Sequence, residues 1–429
     1  MKVSLCSVLL ISLFSFSAIA EEAAPTATLT PPPAPTDATT TTQPPAPDAP
    51  ATTAAPTEPT PAPAVEKKKT TTITRDDVVK YINKQRGLNV TPKIDMDIGT
   101  NLTNLDLTNL DMVGAQMLRV DLTGSDLSGT DLSGGYLEDS KFDNAIMKEV
   151  NLNGSSIANS TFLNADLTKA KMHDTYAETA NFTNAHLVNV SAINSYFIDA
   201  IFTGADISAS KFDYSDFTEA VMTNVIGDNA SFKYGNFKKA NLSKSSFTNS
   251  NFYSVNFDNA NLSNSNFSKA IIFGASINSA DMSSSTYDQT YLESSEIQDS
   301  NLQKANFTGA NFNNAVIKRC NAAGANFSIA GMENIDASFS DFTNADFSSV
   351  IIKDGNFLNS NLSGATFERV FAQGANFTAA DFTNTTISNS NMSYLSMSNS
   401  KTVGMTLTNN SITKVSGLSE EQKLQFSPK

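Results

Sequence analysis

Ala305-Asn306-Phe307-Thr308-Gly309-Ala310-Asn311-Phe312-Asn313-Asn314 contains two copies of one unit. The unit is a small residue, an amide, a large apolar residue and two further small or polar residues. It continues in both directions. From Leu102 to Ile412, positions whose numbers end in 2 or 7 fall 63 times, and all are apolar (counting Ala) except Gly227 and Thr402. Twenty-two of the 28 phenylalanines sit there, among them Phe142, Phe162, Phe182, Phe202, Phe247 and Phe377. The residue two places earlier is mostly small, as at Ala165, Ala205, Ala240 and Ala345. The residue between is often Asn or Asp, as at Asp121, Asn181, Asn241, Asn261 and Asn361.

A period of five fits neither regular element. A continuous strand alternates faces, so an odd period flips the large residue in and out. A continuous helix turns about 100° per residue, so five steps miss whole turns by roughly 140°. A chain that turns a corner every five residues keeps the large and the small residue inside and the polar ones outside. Successive coils then pair backbone to backbone, and only a stack of them buries a core. No proline lies between Pro92 and Pro428, which keeps the backbone N–H groups available for that pairing. At Gly227, Ala372 and Ala177 the large side chain is missing. The preceding Ile226, Phe371 and Tyr176 are expected to lean in and fill the space.

The run resembles the pentapeptide-repeat family, whose consensus unit is A-(D/N)-L-x-x, with Phe in many copies here where the consensus has Leu. The resemblance spans about residues 100–412. It implies an all-β solenoid, a right-handed quadrilateral β-helix with four repeats per coil; periodicity alone leaves the number of sides open. Four repeats per coil make about sixteen coils and a rod of roughly 75 Å at strand spacing. Twenty-residue coils stack Phe197, Phe217, Phe237 and Phe257 in one column and Phe307, Phe327, Phe347 and Phe367 in another.

The flanks differ from the repeats. Residues 1–20 read as a secretory signal peptide: Lys2, an apolar run from Val3 to Phe16, and Ala18-Ile19-Ala20 as a small-x-small cleavage site. The run is short for a membrane span, so no transmembrane segment is expected after cleavage. Cleavage removes Cys6 and leaves Cys320, which rules out an internal disulfide. Residues 21–73 form a Pro/Thr/Ala-rich linker holding thirteen of the fifteen prolines, a composition that stays extended. About fifty such residues reach roughly 150 Å when stretched. Lys67-Lys68-Lys69 closes it as a solubilising charge run. Residues 74–99 begin with a predicted capping helix: Thr74 as N-cap, Asp77 completing a capping box, Val78, Val79 and Ile82 as its apolar stripe and Gly87 as its stop. Residues 413–429 carry a second predicted helix from Ser419 to Phe426. The open ends of the stack invite aggregation, and the two helices are the natural caps.

Chemistry-bearing residues are scarce. The chain has no Trp, two His and two Cys, a formal charge of −14 and a pI near 4.6. Disulfide frameworks, metal clusters, histidine catalysis and direct nucleic-acid binding are therefore not expected. His173 and His186 fall at outward positions on different sides. Cys320 takes the small inward slot and reads as a buried small hydrophobe. Phosphate loops, nucleophile elbows and zinc-protease motifs are missing, so catalytic residues, cofactors and metal sites are all expected to be none. Asp106, Asp111, Asp121, Asp126 and Asp131 share one repeat position near the N-terminal end. Consecutive repeats face different sides, so these residues do not converge on one ion, and an Asp there can bond nearby backbone instead.

Two surface features bear on partners. Residues 100–199 carry net −8, 200–299 net −5 and 300–412 net −1, so the repeat region is acidic at one end. Tyr214 and Tyr234 are expected to stack, with Tyr253 and Phe273 one position away, as a partner-contact patch. Asn-x-Ser/Thr recurs at Asn101, Asn181, Asn241, Asn261 and Asn306, and this abundance favours a bacterial envelope over a glycosylating pathway. The sequence thus reads as a non-catalytic exported rod, periplasmic or extracellular, that binds proteins. A homodimer through the C-terminal helix is one partner expectation. The resemblance supplies two alternatives: an acidic DNA mimic that binds a topoisomerase such as gyrase, and a secreted effector that acts by protein binding.

Overall fold

Residues 72–420 are described by the computed structural model. The signal peptide and nearly all of the linker lie outside them, as does all but the start of the predicted helix from Ser419. The repeat at Asn306–Ala310 shows how each corner is made. Ala310 N–H donates to Phe307 O at 3.0 Å, and Gly309 between them has φ +66°. This is the pattern of a type II turn, whose third residue must be left-handed. Asn fills that place in many repeats, including Asn104, Asn144 and Asn344 at φ +55° to +57°.

Between corners the chain is extended for too few residues to form long strands, and it pairs outward to both neighbours. Asn306 N–H donates to Ser285 O of the preceding coil at 2.8 Å, and Phe307 N–H to Asn326 O of the following one at 2.7 Å. From Asn101↔Asp121 through Ser396↔Ser416 the partners are twenty residues apart and parallel. Where the pairing is most regular it forms three-residue strands: β1 (Glu296–Gln298) on β2 (Val316–Lys318), and β3 (Thr366–Glu368), β4 (Thr386–Ser388) and β5 (Thr406–Thr408) in order. The twenty-residue register gives four pentapeptides per coil.

The interior is filled as the period demands. From Leu102 to Met397 every position ending in 2 or 7 is buried. A fully buried Phe contributes about 1.5–3 kcal/mol of transfer free energy, and the rings also stack. Phe197, Phe217 and Phe237 lie 5.0 and 4.7 Å apart, with Phe257 tilted at 5.3 Å. Phe307, Phe327, Phe347 and Phe367 follow at 5.1, 5.2 and 4.9 Å.

The small inward position does more than leave room. Where it is Ser, the hydroxyl often inserts into the corner of the coil before. Ser160 Oγ accepts from Ser140 N–H at 3.0 Å and donates to Leu137 O at 2.7 Å, which replaces the turn bond with a two-step link between coils. These hydroxyls are buried yet satisfied.

The expected filling of the voids is corrected. Ile226, Phe371 and Tyr176 are 48%, 36% and 49% exposed, so none leans inward. Adjacent residues of an extended segment point to opposite faces, which forbids it. The space at Gly227 is taken from the next coil instead: a Cβ there would stand 2.5 Å from Phe247 Cε1.

At the N-terminal side, α1 (Arg75–Gly87) starts at Thr74 with the reciprocal capping box to Asp77, and buries Val78 and Ile82. Gly87 is its last residue rather than its left-handed stop, and that conformation falls to Asn89, φ +55°. Arg75 donates to Asp106 O at 2.7 Å and Thr108 O at 3.0 Å, and Arg86 to Val113 O at 2.8 Å. The helix thus satisfies carbonyls of the first coil. A short α2 (Ile94–Asp97) follows, and Ile94 N–H donates to Gln116 O at 2.9 Å. At the other end Thr402, Leu407 and Ile412 are only half-buried.

Candidate functional site

Three of every five side chains face outward, and any site must be built from them. The five N-terminal aspartates occupy the outward position that opens each repeat. Asp106 lies beside Asp126 and Asp111 beside Asp131, while Asp121 lies between Asn101 and Lys141. They therefore stand on three sides of the coil. Each carboxylate accepts the N–H two residues on: Asp121 from Thr123 at 3.0 Å, Asp126 from Ser128 at 2.9 Å, Asp131 from Ser133 at 2.9 Å and Asp111 from Val113 at 3.2 Å. Asp106 accepts from Thr108 N–H and Oγ1, and these bonds hold its carboxyl below the ordinary value, with Arg75 adding to the effect. At Asp131 burial pushes upward, but the bonds from Ser133 and Asn151 prevail and the carboxyl is again lowered. No His/Cys/Asp/Glu group suited to a metal ion occurs among the described residues.

His186 is exposed and His173 half-buried. Thirteen residues in a twenty-residue coil put them on different sides. Cys320 is 2% exposed, and its Sγ donates to Ile297 O at 2.9 Å, the bond that Ser340 Oγ makes to Ile317 O at 2.7 Å. Burial pushes its thiol up to about 12, so it is no nucleophile at neutral pH.

The aromatic patch is continuous. Tyr214 and Tyr234 stack at 5.0 Å, Tyr234 meets Tyr253 edge-on at 5.4 Å, and Tyr253 stacks on Phe273 at 5.4 Å. Tyr214 is 58% exposed and stands at a left-handed corner, φ +63°. The ladder steps from the fourth to the third outward position at Tyr253. A second ladder, Tyr176 on Tyr196 at 5.2 Å, lies on another side. The same twenty-residue spacing marks it in the sequence, yet it was not among the expected contacts.

The profile for pentapeptide repeats matches residues 100–174, 179–286, 295–328 and 332–401 in overlapping segments. The chain belongs to the pentapeptide-repeat family. Proteins of this family fold as right-handed quadrilateral β-helices, in keeping with the four-repeat register seen here. No match was found among curated proteins. Among solved structures, this pentapeptide-repeat protein is similar to HetL, a pentapeptide repeat protein involved in heterocyst differentiation regulation from Nostoc sp. strain PCC 7120, at 19% identity over 60% of this chain and 95% of that one, TM-score 0.34. It is also similar to full-length QnrB1, a plasmid-mediated fluoroquinolone resistance protein, at 17% identity over 47% and 97%, TM-score 0.23. A pentapeptide repeat protein of the Arabidopsis thaliana thylakoid lumen matches at 19% identity over 29% and 74%, TM-score 0.15. Among the described residues, no helix is long and apolar enough to cross a membrane.

Proposed function

We propose that this pentapeptide-repeat protein is a non-catalytic, exported interaction rod of about sixteen coils, held in a bacterial cell envelope by its Pro/Thr-rich linker, with α1 capping its N-terminal edge. The observation that carries the reading is the Tyr214–Tyr234–Tyr253–Phe273 ladder. Most rings of the repeats are spent on the interior, yet these four form one continuous line outside, where aromatic side chains favour protein contact. Cys320 is buried and the two histidines stand apart, which supports a role without turnover.

A second reading follows the acidity. Net charge runs from −8 through −5 to −1 along the repeats, which favours a DNA mimic that docks a topoisomerase such as gyrase by its N-terminal coils. One experiment separates the two. The chain is expressed with a C-terminal tag and a photocrosslinker replacing Tyr234, cells are fractionated, and the recovered N-terminus is sequenced. A chain starting at Glu21 outside the cytoplasm, crosslinked to envelope proteins, is the expected result. An intact Met1 chain in the cytoplasm that inhibits gyrase supercoiling overturns the first reading in favour of the second.

A further inference from the structure

On the side of the coil that opens at Gln116, the first and third positions of three successive coils are Tyr136 and Glu138, Ser156 and Ala158, then Tyr176 and Glu178. Tyr136 pairs with Ser156, and Ser156 with Tyr176. Both tyrosines are well exposed, at 58% and 49%. The middle coil is therefore a floor of two small residues between two walls, each carrying a tyrosine and a glutamate. Walls two coils apart stand about 10 Å from each other, and half the thickness of a ring on each side leaves a gap of about 6 Å. Tyr196 stacks on the far face of Tyr176, at 5.2 Å and within 6° of parallel, which braces that ring and leaves its near face to the gap.

The notch is also short of positive charge. Neither Glu138 nor Glu178 enters an ion pair among the described residues, whereas the adjacent Asp139 is engaged by Arg119 at 3.7 Å. Along the same side follow Asp199, Asp216 and Glu219, the last paired with Lys239 at 2.7 Å. Two glutamates without ion pairs beside two exposed rings suit a cation that can lie flat. An ammonium is compact and strongly hydrated, while a guanidinium is planar, stacks on aromatic rings and forks onto carboxylates.

We propose that the notch between Tyr136/Glu138 and Tyr176/Glu178 receives the guanidinium of an arginine on a partner polypeptide. The inference deepens the protein-binding reading above and rests on it. The probe is a short fluorescent peptide of alternating arginine and serine, titrated against the full chain by anisotropy at physiological ionic strength, where diffuse acidity is screened beyond about 8 Å. The arginine peptide is expected to bind, and its neutral citrulline counterpart is not. Ser156→Tyr fills the notch and should weaken binding about tenfold, the loss of stacking on two ring faces. That variant is compatible with the fold because Tyr176 and Tyr196 already stand side by side at this position. Tyr136→Ser removes an exposed wall and should weaken binding similarly. Equal affinity for a lysine counterpart with no effect of either variant overturns the notch, as does a lack of binding. Loss of the notch with the Tyr234 crosslinks intact removes this inference alone, and loss of the crosslinks removes the broader reading.

Discussion

Tyr287 is the one tyrosine in the phenylalanine column between Phe267 and Phe307, and replacing it with Phe should stabilise the protein. Its ring stacks on those neighbours at 5.3 and 5.0 Å and is fully buried. Its hydroxyl has no hydrogen-bond partner among the described residues. The Ser285 hydroxyl nearby donates instead to Leu262 O at 2.6 Å. Burying an unmatched hydroxyl costs about 1–3 kcal/mol by the standard of protein mutations. Tyr287→Phe removes that cost and keeps both stacks. With an m-value of about 3 kcal/mol per M, the urea midpoint should rise by about 0.3–1 M with the slope unchanged. The gap should widen in alkali. Burial raises the phenol well above its ordinary 10.0, so the unfolded chain releases this proton first. The contribution of Tyr287 is then whole below pH 10 and falls above it, by about 1.4 kcal/mol per pH unit, and the Phe variant escapes that loss. A midpoint equal to or below that of the parent at neutral pH would refute the reasoning, because it would mean the hydroxyl is satisfied in the folded state.

Cys320→Ser should change stability by less than about 1 kcal/mol, since serine makes the same bond at equivalent corners; a thiol reagent should label Cys320 only as urea unfolds the chain. Burial raises that thiol from 9.0 to about 12, so its contribution is intact below pH 9 and lost as pH climbs toward 12. The serine variant has no such group to titrate, and alkaline melts of the two proteins should diverge over that range. Ile329 is β-branched, 66% exposed and left-handed at φ +63°, so Ile329→Asn should stabilise by about 1 kcal/mol in urea titrations. Asp166, Asp336 and Asp381 are pushed up by burial but held lower overall by their Thr, Ser and Lys partners. Their contribution is present above the ordinary 3.8 and lost as pH falls below it, so the urea midpoint should drop across that range, and a flat profile there would count against these bonds.

The interior was legible because each inward position repeats one side-chain type. Leu102 and Phe382 obey the same rule 280 residues apart, and the columns through Phe217 and Phe327 followed from a twenty-residue coil. The coil size itself came from the family, since a period of five fits any number of corners. The left-handed fourth position has its own mark in the sequence, Asn or Gly, as at Asn104, Gly124 and Asn144. The filling at Gly227 is not legible along the chain, because a solenoid packs across coils and Phe247 answers from the next one. The serine links, as at Ser160, were hidden because Ser and Ala look alike when position is read by size. On the surface, the Tyr214–Tyr234 and Tyr176–Tyr196 stacks carry the same signal, two tyrosines twenty residues apart.

The division of labour between inside and outside explains why function is harder to read than fold. Each coil contacts only its neighbours, so the stack holds as long as the inward residues and the turn residues are correct. Outward side chains at the first and third positions carry less of that load, and only some of them, such as Asp166 and Asp381, bond the backbone two residues on. Tyr136, Ser156 and Tyr176 succeed one another on a single line of bridges without any change in register. A residue free of folding constraints can vary widely, and its presence alone proves little. What gives such a residue meaning is agreement with its neighbours one coil away. Three rings in contact from Tyr214 to Tyr253, or a tyrosine and a glutamate repeated on both sides of Ser156 and Ala158, are arrangements that the fold permits but does not require. On a scaffold this uniform, correlated departures at twenty-residue spacing are the places where a partner is best sought.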